Sequence, residues 1–260
     1  MELPKLLPGK LSDLIIGYRS QVITGGQSGA QVFRLTQDGF PTYYLKTANI
    51  TQDVSAEAQV LKWLSDKLPV PEIILHLLDD ETEYLLTTEI PGSDASQLCN
   101  DKPTEEIVAQ LAEGLRMIHS IRIDDCPFNR CVDVTINNEA YRRMEQGLAD
   151  VEDFDSQRMG KSLSELYQQL LSTRPSSEDL VFTHGDYCLP NIIINDNTIS
   201  GFIDWGRGGV ADRYQDLALA ARSLEYNTSR KLTQELFRMY GIDEIDWKKV
   251  EFYTLLDEFF

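Results

Sequence analysis

The chain has 260 residues, of which 42% are hydrophobic and 25% charged, and it carries a net charge of −18 at pH 7. This composition is typical of a folded protein with one large or two small cores, and no stretch approaches the roughly 18 unbroken apolar residues of a membrane helix. The acidic charge disfavours nucleic acids as partners and would attract a cationic small molecule, unless it serves solubility alone. No signal-peptide pattern opens the sequence, so a cytoplasmic protein is expected.

Sequence patterns divide the chain into a β-rich first third and a mainly helical remainder. Strands are predicted at residues 18–24, 30–35 and 42–46, a helix at 55–67, and strands at 70–78 and 83–89. Ile-Pro-Gly at 90–92 interrupts the pattern and is the predicted hinge. Further helices are predicted at 104–120, from a capping box at 162–165, and at 216–224, 230–240 and 247–259. We therefore predict two domains, residues 1–90 and 91–260.

The spacing of the four cysteines argues against a metal site built on thiols. Cys126 and Cys131 are close in sequence, but no second pair and no clustered histidine completes a zinc site. Because no secretion signal is apparent, reduced thiols are expected.

The segment that carries the chemistry lies at residues 181–206. Asp186 follows a short apolar strand, Asn191 stands five residues later as the next strand begins, and Asp204 ends the strand after that. These groups are expected to converge at one end of a small antiparallel pair. Phosphoryl transfer needs a carboxylate that orients a hydroxyl and accepts its proton, and oxygen ligands that hold Mg²⁺ on the phosphates. Turn formation alone would explain the motif at Asp186 or the motif at Asp204, but it does not explain both motifs in this order.

The order of these residues resembles the catalytic loop and the magnesium motif of protein kinases. His-Gly-Asp at 184–186 and Asp-Trp-Gly-Arg at 204–207 are more narrowly similar to the aminoglycoside phosphotransferase family, above all to its 3′-phosphotransferases. Residues 63–71, 125–128, 202–212 and 255–260 fit as well, so the resemblance runs from about residue 15 to the last. It implies an α+β, two-lobed protein-kinase-like fold, with a β-rich N-terminal nucleotide-binding lobe and a mainly helical C-terminal catalytic and substrate-binding lobe.

The resemblance also implies roles for the residues of the transfer site. Asp186 corresponds to the catalytic aspartate, and Arg207 to an arginine near the transferred phosphate and the substrate. Asn191 and Asp204 correspond to the magnesium ligands.

On the nucleotide side, Lys46 corresponds to the lysine that holds the α- and β-phosphates. Glu57 on the following helix corresponds to its ion-pair partner, which fixes the compact charge at the end of a flexible stem. The resemblance further implies that Ser28 contacts the phosphates and that Tyr44 stacks on the purine. The backbone near Thr88 and Ile90, at the hinge, would read the purine edge. For Tyr44, a place in the strand's core is the alternative, and the glycine-rich turn around Ser28 would otherwise be a simple hairpin.

The acidity of the chain bears on the substrate, because an aminoglycoside is a polycation and needs carboxylates around it. Asp153 and Asp155 fall where related enzymes place an acidic loop over the sugar rings, a solvated charge run being the alternative. Glu225 stands near where a further acid is expected. At the chain end, Glu258 and the carboxylate of Phe260 are expected at the surface, where they would accept hydrogen bonds from ammonium groups. They would lie beside one buried apolar face made of Leu255, Leu256 and Phe259.

These observations predict an enzyme that transfers the γ-phosphate of ATP, or of GTP, to the 3′-hydroxyl of an aminoglycoside with the help of Mg²⁺, conferring resistance. A kinase for choline or a sugar on the same core is the main alternative, and it would need an aromatic cage or a sugar pocket. A catalytically dead nucleotide-binding regulator is disfavoured, because all four central residues are intact: Lys46, Asp186, Asn191 and Asp204. The sequence leaves open the accepted drugs and whether the chain is a monomer or a dimer.

Overall fold

A computed structural model describes residues 3, 7–23, 30–49, 54–99, 104–149, 154–155, 158–228 and 232–260. The chain forms two compact units, Met1–Gly92 with Ser200–Gly206 and Ser93–Ile199 with Arg207–Phe260. The division therefore falls two residues after the predicted boundary, and a short later segment joins the first unit. One reason is a backbone hydrogen bond, since the Phe202 amide donates to the Pro69 carbonyl at 3.0 Å. In the described part of the chain, no helix combines the length and the apolar character needed to cross a membrane.

The first unit is built on a five-stranded antiparallel sheet with the strand order β1-β2-β3-β5-β4. Its strands are β1 (Arg19–Ile23), β2 (Gln31–Thr36), β3 (Tyr43–Asn49), β4 (Ile73–Asp79) and β5 (Thr82–Thr88). Alternate residues of β2, Phe33 and Leu35, are fully buried, as the period-two geometry of a strand dictates. They pack with Leu11 of α1 (Gly9–Leu14), a helix that six residues are too few to reveal by periodicity.

The helix of the first unit, α2 (Val54–Leu64), packs beside this sheet. Its predicted apolar face is confirmed, since Ala58, Leu61 and Leu64 are each at most 4% exposed. Glu57 stands next to this face and is buried as well, which places a carboxylate under the sheet.

The second unit is mainly helical, as predicted. Its helices are α3 (Ala95–Leu98), α4 (Thr104–His119), α5 (Val132–Val134), α6 (Tyr141–Gln146), α7 (Leu163–Ser172), α8 (Tyr214–Asn227), α9 (Leu232–Tyr240) and α10 (Trp247–Asp257). A π-helical turn, Thr135–Ala140, joins α5 to α6. The predicted capping box at the start of α7 is confirmed, because Ser162 and Glu165 exchange side-chain and backbone hydrogen bonds. Helix α4 packs on α9, and α8 packs on α10.

Short strands frame the chemical segment. They are β6 (Ser93–Asp94), β7 (Leu180–Thr183), β8 (Ile192–Asn195), β9 (Thr198–Phe202) and β10 (Gly209–Asp212). Strand β7 pairs antiparallel with β10, and β6 pairs antiparallel with β8. Strand β7 ends at Thr183, opposite Gly209, so the following loop starts from a fixed point and returns through the 3-10 turn Leu189–Asn191.

Candidate active site

Lys46 is the centre of a charged cluster in the first unit. Its neighbours on β3, Leu45 and Thr47, are buried, and Lys46 lies on the other face of the strand. There its Nζ lies 2.7 Å from Oε2 of Glu57 and 2.9 Å from Oδ1 of Asp204. Burial disfavours the charged ammonium, but the two carboxylates outweigh it and raise the pKa of Lys46. Lys46 is therefore a fixed cation, which suits it to bind anionic oxygens.

The second carboxylate of this cluster, Asp204, is presented by a constrained turn. Its φ of 63° lies in the left-handed region, which aspartate tolerates better than most residues but at some cost. The next residue, Trp205, is fully buried, and its indole donates to the Phe202 carbonyl at 3.0 Å. This anchor fixes the turn, so that the carboxylate of Asp204 remains 44% exposed while it contacts Lys46.

In the second unit, Asp186 and Asn191 lie in direct contact. The Asn191 Nδ2 donates to the Asp186 carboxylate and to the Asp186 carbonyl, each at 3.0 Å. With its amide nitrogen used in this way, the oxygen of Asn191 is the side-chain atom able to ligate a cation. The structure thus brings together the predicted base and one predicted metal ligand.

A buried acid that sequence reasoning missed, Asp216, fixes the loop that carries Asp186. It is fully buried and accepts hydrogen bonds from the backbone amides of His184 at 2.7 Å and Gly185 at 2.8 Å. The His119 ring nitrogen lies 3.1 Å from the same carboxylate. The signal for this role is an aspartate in the first turn of an otherwise apolar stretch, a pattern that by itself predicts only the start of a helix.

Arg207 is held by the C-terminal helix. Its Nη1 donates to Oδ1 of Asp257 at 2.6 Å, and its guanidinium lies 4.4 Å from the centre of the Phe260 ring. Arg222 binds the other oxygen of Asp257. Arg207 and Phe260 were both predicted as site residues. The sequence does not predict the contact between Arg207 and Asp257, since it spans 50 positions of the chain.

The prediction that Glu258 lies at the surface is wrong. Its side chain is 4% exposed, and its Oε1 lies 3.1 Å from Nη1 of Arg158, which also pairs with Asp155. The reason is that the buried guanidinium of Arg158 offers the carboxylate a partner inside the fold. Burial nevertheless raises the pKa of Glu258 more than Arg158 lowers it. The apolar face predicted beside it is confirmed, each member being at most 1% exposed: Leu255, Leu256 and Phe259.

The other predicted contacts are distributed over the two units. In the first unit, the Tyr44 hydroxyl lies 3.5 Å from a Glu89 oxygen. The Thr88 amide donates to the Glu72 carbonyl at 3.0 Å, and Ile90 follows closely as a half-buried residue. In the second unit, Glu225 is exposed on α8. Two predicted contacts lie outside the described residues: Ser28 and Asp153.

Comparison with known sequences shows what this chain is similar to. Residues 20–253 match the phosphotransferase enzyme family. An aminoglycoside 3′-phosphotransferase of Escherichia coli is 39% identical over 99% of this chain and 96% of its own length. One of Niallia circulans is 38% identical over 97% of each chain.

Comparison with solved structures also finds aminoglycoside phosphotransferases. An aminoglycoside-3′-phosphotransferase of type VIII has a TM-score of 0.86 at 34% identity, over 96% of this chain and 97% of its own. An aminoglycoside phosphotransferase of Streptomyces rimosus, in complex with ADP and streptomycin, has a TM-score of 0.76 at 26% identity, over 90% of this chain and 94% of its own. The predicted α+β, protein-kinase-like fold is confirmed.

Proposed function

This chain belongs to the phosphotransferase enzyme family, and we propose that it transfers the γ-phosphate of a nucleoside triphosphate to the 3′-hydroxyl of an aminoglycoside antibiotic. The observation that supports the proposal is the half-buried Lys46 between Glu57 and Asp204, a fixed cation suited to bind the phosphates of a nucleotide. The substrate class rests on the full-length relatives named aminoglycoside 3′-phosphotransferase. Such a reaction modifies the drug and confers resistance, and its nucleotide cosubstrate makes the cytoplasm the expected place of action.

The first unit is proposed to bind the nucleotide. Lys46 would hold the α- and β-phosphates, and Glu57 would keep its ammonium in place. The nucleoside would lie along the end of β5, where the backbone near Thr88 and Ile90 would read the purine edge and Tyr44 would stack on the ring. Ser28, which lies between β1 and β2 in the sequence, is proposed to contact the phosphates.

The second unit is proposed to perform the transfer. Asp186 would orient the drug hydroxyl and accept its proton as the oxygen attacks the γ-phosphorus, the ADP oxygen leaving on the opposite side. The amide of Asn191 holds this carboxylate by a hydrogen bond, and Asp216 holds the loop backbone. Arg207 would stabilise the charge on the transferred group.

The side chains proposed as metal ligands fit Mg²⁺. Asn191 offers an amide oxygen and Asp204 a carboxylate, and hard oxygen ligands of this kind suit magnesium. When bound, Mg²⁺ neutralises the phosphate oxygens and favours departure of ADP. Magnesium is usually held by one or two protein carboxylates or amides together with the phosphates, so a larger protein cage is not required.

On the substrate side, carboxylates and arginines are matched. The acids are Asp155, Asp257 and Glu258, and the arginines paired with them are Arg158, Arg207 and Arg222. We infer that an aminoglycoside binds here by exchange at Asp155 and Glu258, its ammonium groups replacing the guanidinium of Arg158, while Asp257 keeps Arg207. Asp153 and Glu225 are proposed to extend this acidic surface toward the other amino groups of the drug.

A panel of acceptors tests the proposed function. Release of ADP would be measured for the purified protein with 3′-hydroxyl aminoglycosides, 3′-deoxy aminoglycosides, choline and simple sugars. We expect turnover with the first group and none with the other three. Turnover of choline or a sugar at the highest kcat/KM would contradict the proposal, and nucleotide binding without turnover of any acceptor would point to a regulator.

A further inference from the structure

Two groups of the C-terminal segment hold the guanidinium of Arg207. The carboxylate of Asp257 accepts from its Nη1 at 2.6 Å, and the ring of Phe260 covers its face at 4.4 Å. A carboxylate hydrogen-bonded to one nitrogen and an aromatic ring against the group restrict both translation and rotation of the guanidinium. Only 25% of the Arg207 side chain remains exposed.

The backbone of Arg207 is fixed as well. Gly185 has a φ of +83°, and a Cβ at this position would overlap the carbonyl of Arg207. The arginine backbone therefore packs directly on the residue that precedes Asp186. Burial opposes the charge of Arg207, but the carboxylates of Asp257 and Asp186 outweigh it and raise its pKa. The arginine is thus a permanent cation within the field of the proposed base.

Asp257 is suited to this task because it stays ionised inside the fold. It is nearly buried, with 8% of its side chain exposed, and its second oxygen binds Arg222. Burial disfavours the carboxylate, but the guanidinium groups of Arg207 and Arg222 overcome this effect and lower the pKa of Asp257. A neutral side chain of the same size would keep the packing and lose the attraction.

We propose that Asp257 and the ring of Phe260 are positioning residues, which aim the guanidinium of Arg207 at the transferred phosphoryl group. This inference rests on the proposed function and deepens it. It assigns the C-terminal segment a part in the rate of transfer, where sequence reasoning assigned it only a part in holding the drug. It distinguishes Asp257 from Glu258, whose partner is Arg158.

The test compares Asp257→Asn with the wild type at saturating nucleotide and drug. We expect kcat to fall about ten- to a hundredfold, because small errors in the placement of a transition-state group are costly, while the drug KM changes less than about threefold. Glu235→Gln is the matched control, since it removes a carboxylate from an arginine pair on α9 and should leave kcat unchanged. Equal kcat values in Asp257→Asn and the wild type, or a loss confined to the drug KM, would overturn the proposal.

A double-mutant cycle separates positioning from an independent effect. In an Arg207→Met background, Asp257→Asn should cause no further loss of kcat, since its effect passes through the missing guanidinium. Additive losses would overturn the proposal.

A second variant covers the case in which Asp257→Asn does not fold. Phe260→Leu keeps the carboxylate of Asp257 and should still lower kcat about three- to tenfold. An unchanged kcat in this variant would overturn the proposal. A wild-type protein that phosphorylates no aminoglycoside would instead overturn the proposed function.

Discussion

The side-chain amide of Asn191 donates to the carboxylate of Asp186 at 3.0 Å. The same nitrogen donates to the backbone carbonyl of Asp186, so the two side chains and the loop form one hydrogen-bonded unit. A metal ion bound at the oxygen of Asn191 would therefore be connected to the proposed base through a single amide group.

Asp186→Ala should abolish turnover while nucleotide binding survives. The variant loses the base and the group that orients the hydroxyl, and general-base catalysis alone contributes typically 100- to 10,000-fold. Steady-state kinetics at saturating ATP measure the loss, and calorimetric titration measures nucleotide affinity. Asp124→Ala, a change at an exposed acid paired with Arg122, is the control. A variant that keeps a tenth of the wild-type kcat would disprove the role of Asp186.

Asp204→Ala should weaken binding of the Mg²⁺–nucleotide complex. The substitution removes the proposed metal ligand and one of the two carboxylates that hold Lys46. Asp204→Asn retains an oxygen ligand, so added Mg²⁺ should partly restore its nucleotide affinity and should not restore that of Asp204→Ala. Titration of the two variants with ATP at several Mg²⁺ concentrations decides the question. Unchanged affinity of Asp204→Ala would exclude the metal role.

Glu258→Gln should raise the drug KM more than the nucleotide KM. Charge-assisted hydrogen bonds are worth about 1.5–3 kcal/mol, which corresponds to about ten- to a hundredfold in affinity.

The drug KM of the wild type should also rise with inert salt, because the Debye length shrinks from about 8 Å at physiological ionic strength to about 3 Å at 1 M. A drug KM that is independent of salt would favour an uncharged acceptor.

Asp257→Asn should destabilise the protein in a pH-dependent way. The pKa of Asp257 lies below its ordinary value of 3.8, since the two guanidinium groups overcome the effect of burial. Its carboxylate therefore stabilises the folded state above about pH 4, and this contribution is lost as the pH falls through the lower folded-state pKa.

Unfolding in urea between pH 3 and 7 measures this contribution. At pH 7 the variant should lose roughly 1–3 kcal/mol relative to the wild type, and the difference should shrink toward pH 3. Glu235→Gln, at an exposed ion pair, should show a much smaller change. A difference that is constant across this range would show that Asp257 acts by packing and not by charge.

The elements predicted correctly are those whose periodicity is local. The face of α4 follows from apolar residues at helical spacing, and Ile107, Leu111, Leu115 and Ile118 are each at most 1% exposed. The contact between Lys46 and Glu57 is likewise local, because the two residues lie on a strand and on the next helix, eleven positions apart. Motif order then marks Asp186 and Asn191, because their separation of five residues fits one loop.

The contacts that the sequence does not predict join distant parts of the chain. Arg158 and Glu258 are 100 positions apart, and either side chain alone has the pattern of a solvated surface charge. The burial of Asp216 depends in the same way on two amides about 30 positions upstream. Local propensity carries no information on such pairings, since they arise only when segments distant in sequence pack together.

Because arginines pair with the acids of this group, the association rate and the dissociation rate of a cation depend on different residues. The chain as a whole carries a charge of −18, which accelerates the approach of a polycation over long distances. Within the group of Asp155, Asp257 and Glu258, however, three guanidinium groups compensate the charge. Surface acids elsewhere should therefore govern the association rate, and substitutions of Arg158 or Arg222 the dissociation rate. Drug preference can then change through an arginine while every carboxylate is retained.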